Sequence, residues 1–182
     1  MHRIYKGIII ILINSIFPTW VLAATQGSLG ATSTGQVTVS ITIPALVQIS
    51  GLGNITLGST SSFPALGNTT ACIYSNVASP AGSYYVTATS QNSSGTNFRV
   101  NTGTDFIVYS AYWNNSAMPT QTTALTSSTK TAQQTNGNTT SLDCSGGTAP
   151  NANFNISFSA SQVEGAKAAT YTDQVTIVIS PS

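Results

Sequence analysis

The side chains able to do chemistry are few in this 182-residue chain: four carboxylates, five basic residues, two cysteines and one histidine. The carboxylates are Asp105, Asp143, Glu164 and Asp173. Two carboxylates flanking one bond can hydrolyse a glycoside. Nothing in this spacing brings two of them together, and Asp143 adjoins Cys144 in a turn-like stretch. The histidine, His2, falls in the leading segment, so a His-dependent triad or imidazole base is lost on processing. Metal ligation needs clustered acids or histidines, and neither is present. The expectation is a protein that is not an enzyme, with no catalytic residue, no cofactor and no metal site. Tyr109, Tyr112 and Trp113 are the aromatics that a sugar could stack on; in a strand such residues are more often core or cross-strand pairs.

The first residues read as an address. Arg3 and Lys6 form a short basic region, residues 8–17 an apolar run of roughly ten residues, and Ala23 and Ala24 offer small residues for cleavage. Residues 1–23 are therefore expected to be a signal peptide, too short for a membrane span. Beyond it remain Arg99, Lys130 and Lys167 against the four acids, a net side-chain charge of −1. No basic surface exists for nucleic acid or anionic lipid. In an exported chain Cys72 and Cys144 read as one disulfide. Closing a loop of that size stabilises the fold by roughly 4 kcal/mol in chain-entropy terms. The Asn-x-Ser/Thr triplets at Asn54, Asn68, Asn92, Asn114, Asn138 and Asn155 follow from a composition rich in those residues.

The elements that must position these residues are strands. In the stretch 35–43, Val37, Val39, Ile41 and Ile43 fall on one side and Gln36, Thr38, Ser40 and Thr42 on the other, the period of a strand with one buried face. Pro44 interrupts it. Further strands are expected at 47–49, at Ile55 and Leu57, and over 71–74, 84–89, 98–100, 106–113, 154–158 and 175–179, separated by Gly/Asn/Ser turns. Tyr84 and Tyr85 must point to opposite faces. Residues 120–140 read as a long polar surface loop with one edge strand, and 161–169 as one helical turn at most. About eight short strands so spaced imply an all-β sandwich in a single domain.

The segment 33–43 resembles the amino-terminal donor strand of archaic chaperone–usher pilins and spore coat protein U domains. The stretch 169–180, in which Ala169-Thr-Tyr-Thr-Asp173 leads into alternating apolar residues, is similar to their final strand. Residues 72–76, 107–113 and 143–147 resemble their inner strands and second-cysteine region. The first cysteine stands later here than in many such pilins, and the chain ends in Pro181-Ser182.

This resemblance implies an incomplete immunoglobulin-like β-sandwich completed by donor-strand complementation: a leader and donor strand over 24–44 and a pilin-like domain over 45–182. It implies a fimbrial structural subunit carried through the periplasm to the cell surface. Its partners would be a periplasmic chaperone, an outer-membrane usher and identical or related subunits, with a surface or glycan receptor beyond them. Val37, Val39, Ile41 and Ile43 would plug a neighbour's core, a gross gain of roughly 6–12 kcal/mol before ordering costs. Val175, Ile177 and Ile179 would line the receiving groove. The alternation at 37–43 would look the same in a strand packed into its own domain. The contrasting reading is a monomeric secreted or coat-associated sandwich that binds surface glycan through Tyr109, Tyr112 or Trp113.

Overall fold

The computed structural model describes residues 24–58, 62–145 and 147–182. The signal peptide expected over 1–23 lies outside them. The chain divides into two compact units, one ending at Ile43 and the other beginning at Pro44.

In the first unit, Thr25 and Gln36 exchange both backbone hydrogen bonds (3.1 and 3.0 Å) and close the Gly-containing loop between them. The segment 37–43 that follows belongs to no ladder.

The second unit is all-β but for one turn of helix. Its elements are β1 (Val47–Ser50), β2 (Ala65–Ser75), β3 (Tyr84–Ser90), β4 (Phe98–Asn101), β5 (Phe106–Asn114), β6 (Thr123–Ala124), β7 (Ala152–Phe158), α1 (Ala160–Val163) and β8 (Val175–Pro181). Every pairing between named strands is antiparallel. One sheet runs β1-β2-β7-β5-β4, and β6 shares with β4 the β5 edge that β7 leaves free. The other sheet is β3-β8.

Alternation decides which residues meet between the sheets. On β3, Tyr84, Val86, Ala88 and Ser90 are buried while Tyr85, Thr87 and Thr89 are partly exposed. On β5, Ile107, Tyr109, Ala111 and Trp113 face inward. With Ala71 and Ile73 of β2, Phe98 of β4, and Ala152, Phe154 and Phe158 of β7 they form one continuous core. Phe98 and Phe158 pack tilted against Tyr109, with ring centroids 5.7 and 5.3 Å apart.

The expected strands form where the alternation is strong, but β2 begins at Ala65 rather than at 71, and there are two further departures. Ile55 and Leu57 join no strand; they lie over Gly67 of β2, where a side chain would collide with Ile55. The polar stretch 120–140 is also more ordered than a loop. Besides β6, its residues 128–134 run along the free edge of β3: Thr131 N donates to Val86 O (2.9 Å), and Tyr84 and Gln134 exchange both bonds. Asn138 then bonds the backbone of Ile73 and Ser75 on β2. Hydroxyls and amides do this as readily as apolar residues, because the ladder is made by the backbone.

Cys72 and Cys144 are bonded, with Cα atoms 5.7 Å apart and a sequence separation of 72. The bond ties the segment around 144 to the middle of β2. A second closure joins Gly82, at φ 68°, to Gly137, whose N–H donates to Gly82 O at 2.9 Å; a Cβ on either would strike the other's backbone.

Two stability changes follow. Gly82→Ala is expected to cost about 2 kcal/mol or more, from the left-handed φ and the backbone collision together. Replacing both cysteines by serine is expected to remove roughly 4 kcal/mol. Denaturant midpoints read both; an unchanged midpoint in either variant would contradict the corresponding contact.

Candidate functional site

The second sheet is unequally closed. Both edges of β3 are paired, one by β8 and the other by residues 128–134. β8 is paired on one edge only: among the described residues no backbone bond reaches its other edge. In the first sheet β1 is likewise paired, among the described residues, only with β2. β1 and β8 adjoin each other without a ladder between them. Two strand edges, each with unspent N–H and C=O groups, therefore border one gap.

Register and burial show what the gap contains. Val86 pairs with Ile179, Ala88 with Ile177 and Ser90 with Val175, so each pair shares the inward face. The β3 members are buried, yet Val175, Ile177 and Ile179 are only half-buried. On the other side Val47 pairs with Ser75 and Ile49 with Ile73. Again the β2 members are buried and Val47 and Ile49 are half-buried. The core is thus short of cover along one line, between β1 and β8. The sequence pointed to Val175, Ile177 and Ile179; it did not single out Val47 and Ile49 as their counterparts. Their two-residue spacing just after Pro44 was the available signal.

The apolar side chains of the first unit are also uncovered: Val37 is 77% exposed, Val39 87%, Ile41 85% and Ile43 70%. Four aliphatics on alternate positions, all in water, are unusual in a protein that otherwise buries its apolar strand faces.

The entry to β8 is fixed by polar contacts. Asp173 accepts a hydrogen bond from Tyr109 Oη at 2.7 Å and from Asn92 Nδ2 at 3.1 Å. Asn101 and Thr172 exchange backbone bonds at 2.9 Å. Asp173 thereby anchors the turn to both sheets, which gives the Tyr-x-Asp sequence before β8 its physical role. Tyr171 Oη donates to Lys167 O at 3.0 Å and tightens the same turn.

The four carboxylates have separate surroundings. Asp105 pairs with Lys167 at 3.0 Å. Asp143 accepts hydrogen bonds from Ser145, which hold its carboxyl below the ordinary range. Asp173 holds the turn, and Glu164 is exposed on the surface. Among the described residues, no group of three His, Cys, Asp or Glu is placed to hold a metal ion.

The sugar platform of Tyr109, Tyr112 and Trp113 is corrected by the strand's period. Tyr109 and Trp113 point into the core, where Trp113 Nε1 donates to Tyr84 Oη at 3.2 Å, and Tyr112 points the opposite way. The three rings share no face. Tyr84 and Tyr85 divide as their adjacency requires: the first is buried, and the second carries Lys130 over its ring at 4.3 Å.

No family model matches the chain, and no curated protein matches it. Among solved structures it is similar to a chain of one described as "Chaperone-tip adhesin complex is vital for synergistic activation of CFA/I fimbriae biogenesis". The identity is 13% and the TM-score 0.49, over 75% of this chain and 41% of that one. The chain thus spans about two fifths of the length of that protein, and a likeness so distant carries nothing about activity or partners. What the structure itself defines is a class: an antiparallel all-β sandwich with one open line in its core.

Burial pushes the Tyr84 phenol up to about 12, with the Trp113 hydrogen bond opposing, and raises Tyr109 as well, where Asp173 adds to the effect of burial. Unfolded tyrosines ionise near 10. Above that pH the unfolded chain has lost protons that the folded one retains, so stability present below pH 10 is lost as pH rises. Urea midpoints are expected to hold steady from pH 8 to 9.5 and to fall through pH 11.5, with a shallower fall in Tyr84→Phe. A midpoint flat to pH 11.5 would contradict this.

Proposed function

We propose that the chain is a structural subunit of a surface fibre of the chaperone–usher type, and that it polymerises by donor-strand exchange. One observation carries the reading: a line of half-covered aliphatics between two unpaired strand edges, β1 and β8, in a chain that also exposes an alternating aliphatic segment at 37–43. An added strand in that gap would pair with a free edge and cover Val47, Ile49, Val175, Ile177 and Ile179. A segment presenting Val37, Val39, Ile41 and Ile43 on one side has the period to do so. Supplied by the next subunit, it builds a fibre head to tail, because a donor on one end and an acceptor on the other form a heterologous contact that does not close. Residues 24–44 would be the leader and donor strand and 45–182 the receiving domain.

Before assembly the gap is an aggregation hazard. A periplasmic chaperone that fills it, and an outer-membrane usher where the exchange occurs, are the partners this mechanism requires, with identical or related subunits as the final ones. The scarcity of charge suits a surface that meets protein on several sides. The monomeric glycan-binding alternative loses its platform, since Tyr109 and Trp113 are buried.

The test uses two defective variants. Val39→Asp with Ile41→Asp spoils the donor; Ile177→Asp spoils the acceptor. The parent, expressed in a periplasm and run unboiled, is expected to give a ladder that collapses on heating. Each variant alone is expected to give no ladder beyond the monomer. Together they are expected to give a heterodimer and nothing longer, because only one productive pairing remains. A parent that runs as a stable monomer would overturn the proposal, as would ladders undiminished by the donor substitutions.

A further inference from the structure

Charge is scarce in this protein, yet Arg99, Asp105, Glu164 and Lys167 gather around one exposed aromatic ring, Phe106. Phe106 is 58% exposed although Arg99 lies over it with the guanidinium carbon 4.5 Å from the ring centre. Both residues stand on the outer face of the first sheet, where Arg99 pairs with Val108 and Asn101 with Phe106. This is far from the gap in strand order, since β4 and β5 lie at the opposite end of the sheet from β1. Two shallow depressions meet at Thr104, Asp105 and Phe106: one of about 170 Å3 reaches to Asn92, Arg99 and Asn101, the other of about 190 Å3 to Gln162, Glu164 and Tyr171.

We infer that this trough is a binding site for a neutral saccharide, with Phe106 as its stacking surface. The chemistry is that of a sugar, whose C–H face packs on an aromatic ring while its hydroxyls need planar donors and acceptors beside it. Carboxylates, amides and a guanidinium supply both kinds here. Two positive and two negative side chains balance at the site, so its field selects neither an anion nor a cation. Each depression is smaller than the roughly 300–1,000 Å3 of pockets that engulf a ligand, so the ligand lies along the surface with one residue on either side of the ring.

The site is also preorganised. Arg99 Nε donates to Asn92 O at 2.7 Å and Nη2 to Ser93 O at 3.3 Å. Asn101 Nδ2 donates to Asn92 Oδ1 at 2.8 Å, and Asn92 is itself tied to Asp173. Lys167 Nζ holds both oxygens of Asp105 at 3.0 and 3.3 Å. Side chains already held lose little freedom on binding, which matters where the contact area is small. The aromatics named by the sequence, Tyr109 and Trp113, cannot act this way. Phe106 opens β5, and nothing in its local sequence sets it apart from the aromatics that follow.

The inference does not depend on whether the chain polymerises, and its test is independent of the ladder assay. The secreted full chain is applied to a printed panel of neutral and acidic oligosaccharides, alongside Phe106→Ala, Glu164→Gln and a Leu66→Ala control on the same outer face. The expected result is retention on one or more neutral glycans, at least tenfold weaker in Phe106→Ala, weakened in Glu164→Gln, and unchanged in Leu66→Ala. Phe106 lies outside the core, and an unaltered urea midpoint verifies that its variant folds. Three results would overturn the assignment: no neutral glycan bound, binding indifferent to Phe106→Ala, or binding confined to acidic glycans and abolished by salt.

Discussion

The backbone edge of β8 sets the terms for the rest of this structure. A strand satisfies its polar groups by pairing on both sides, and β8 pairs on one. The deficit is more than a row of missing hydrogen bonds. The aliphatics that β8 and β1 turn inward are left half-covered, while the residues they pair with on β3 and β2 are buried completely. Burial is worth about 25 cal/mol per Å2 of apolar surface. An incomplete line of this kind is therefore a loss of stability, with apolar surface left unburied.

Elsewhere the domain closes much of what its short strands leave open. Residues 128–134 protect the far edge of β3, and Asn138 extends the cover to β2. The Cys72–Cys144 bond and the approach of Gly82 to Gly137 secure the segments that follow. Few of these closures use charge. Among the described residues one salt bridge is present, Asp105 with Lys167, and it lies at the surface, where such pairs add little. Amides, hydroxyls and backbone groups bear the polar load instead. Asp173 is the chief exception: it is held by the Tyr109 hydroxyl and the Asn92 amide and fixes where β8 begins.

Burial also separates aromatic residues that look alike in the chain. Tyr84, Tyr109 and Trp113 serve the core, and two of their three polar atoms bond each other. Phe106 and Tyr112 stand on the outer face of the same strand. Exposure to ligands thus falls to a ring whose one face is already occupied by Arg99.

The sequence alone was enough for whatever depends on local alternation. The strands at 84–90, 106–114, 152–158 and 175–181 form where branched and aromatic residues recur every second position, because one pleated face must be buried. The opposed fates of Tyr84 and Tyr85 follow from the same period, and two cysteines left one intramolecular pairing to make. Long-range pairing was not legible. That 128–134 would line β3 is a property of backbone groups common to all residues, so its polar composition gave no sign of it. That Val47 and Ile49 would face Val175, Ile177 and Ile179 across an unfilled gap depends on which sheet edge each strand occupies. The convergence of Arg99, Asp105, Glu164 and Lys167 on Phe106 joins positions far apart in sequence. Period fixes which way a side chain points, and only the tertiary fold decides what stands opposite it.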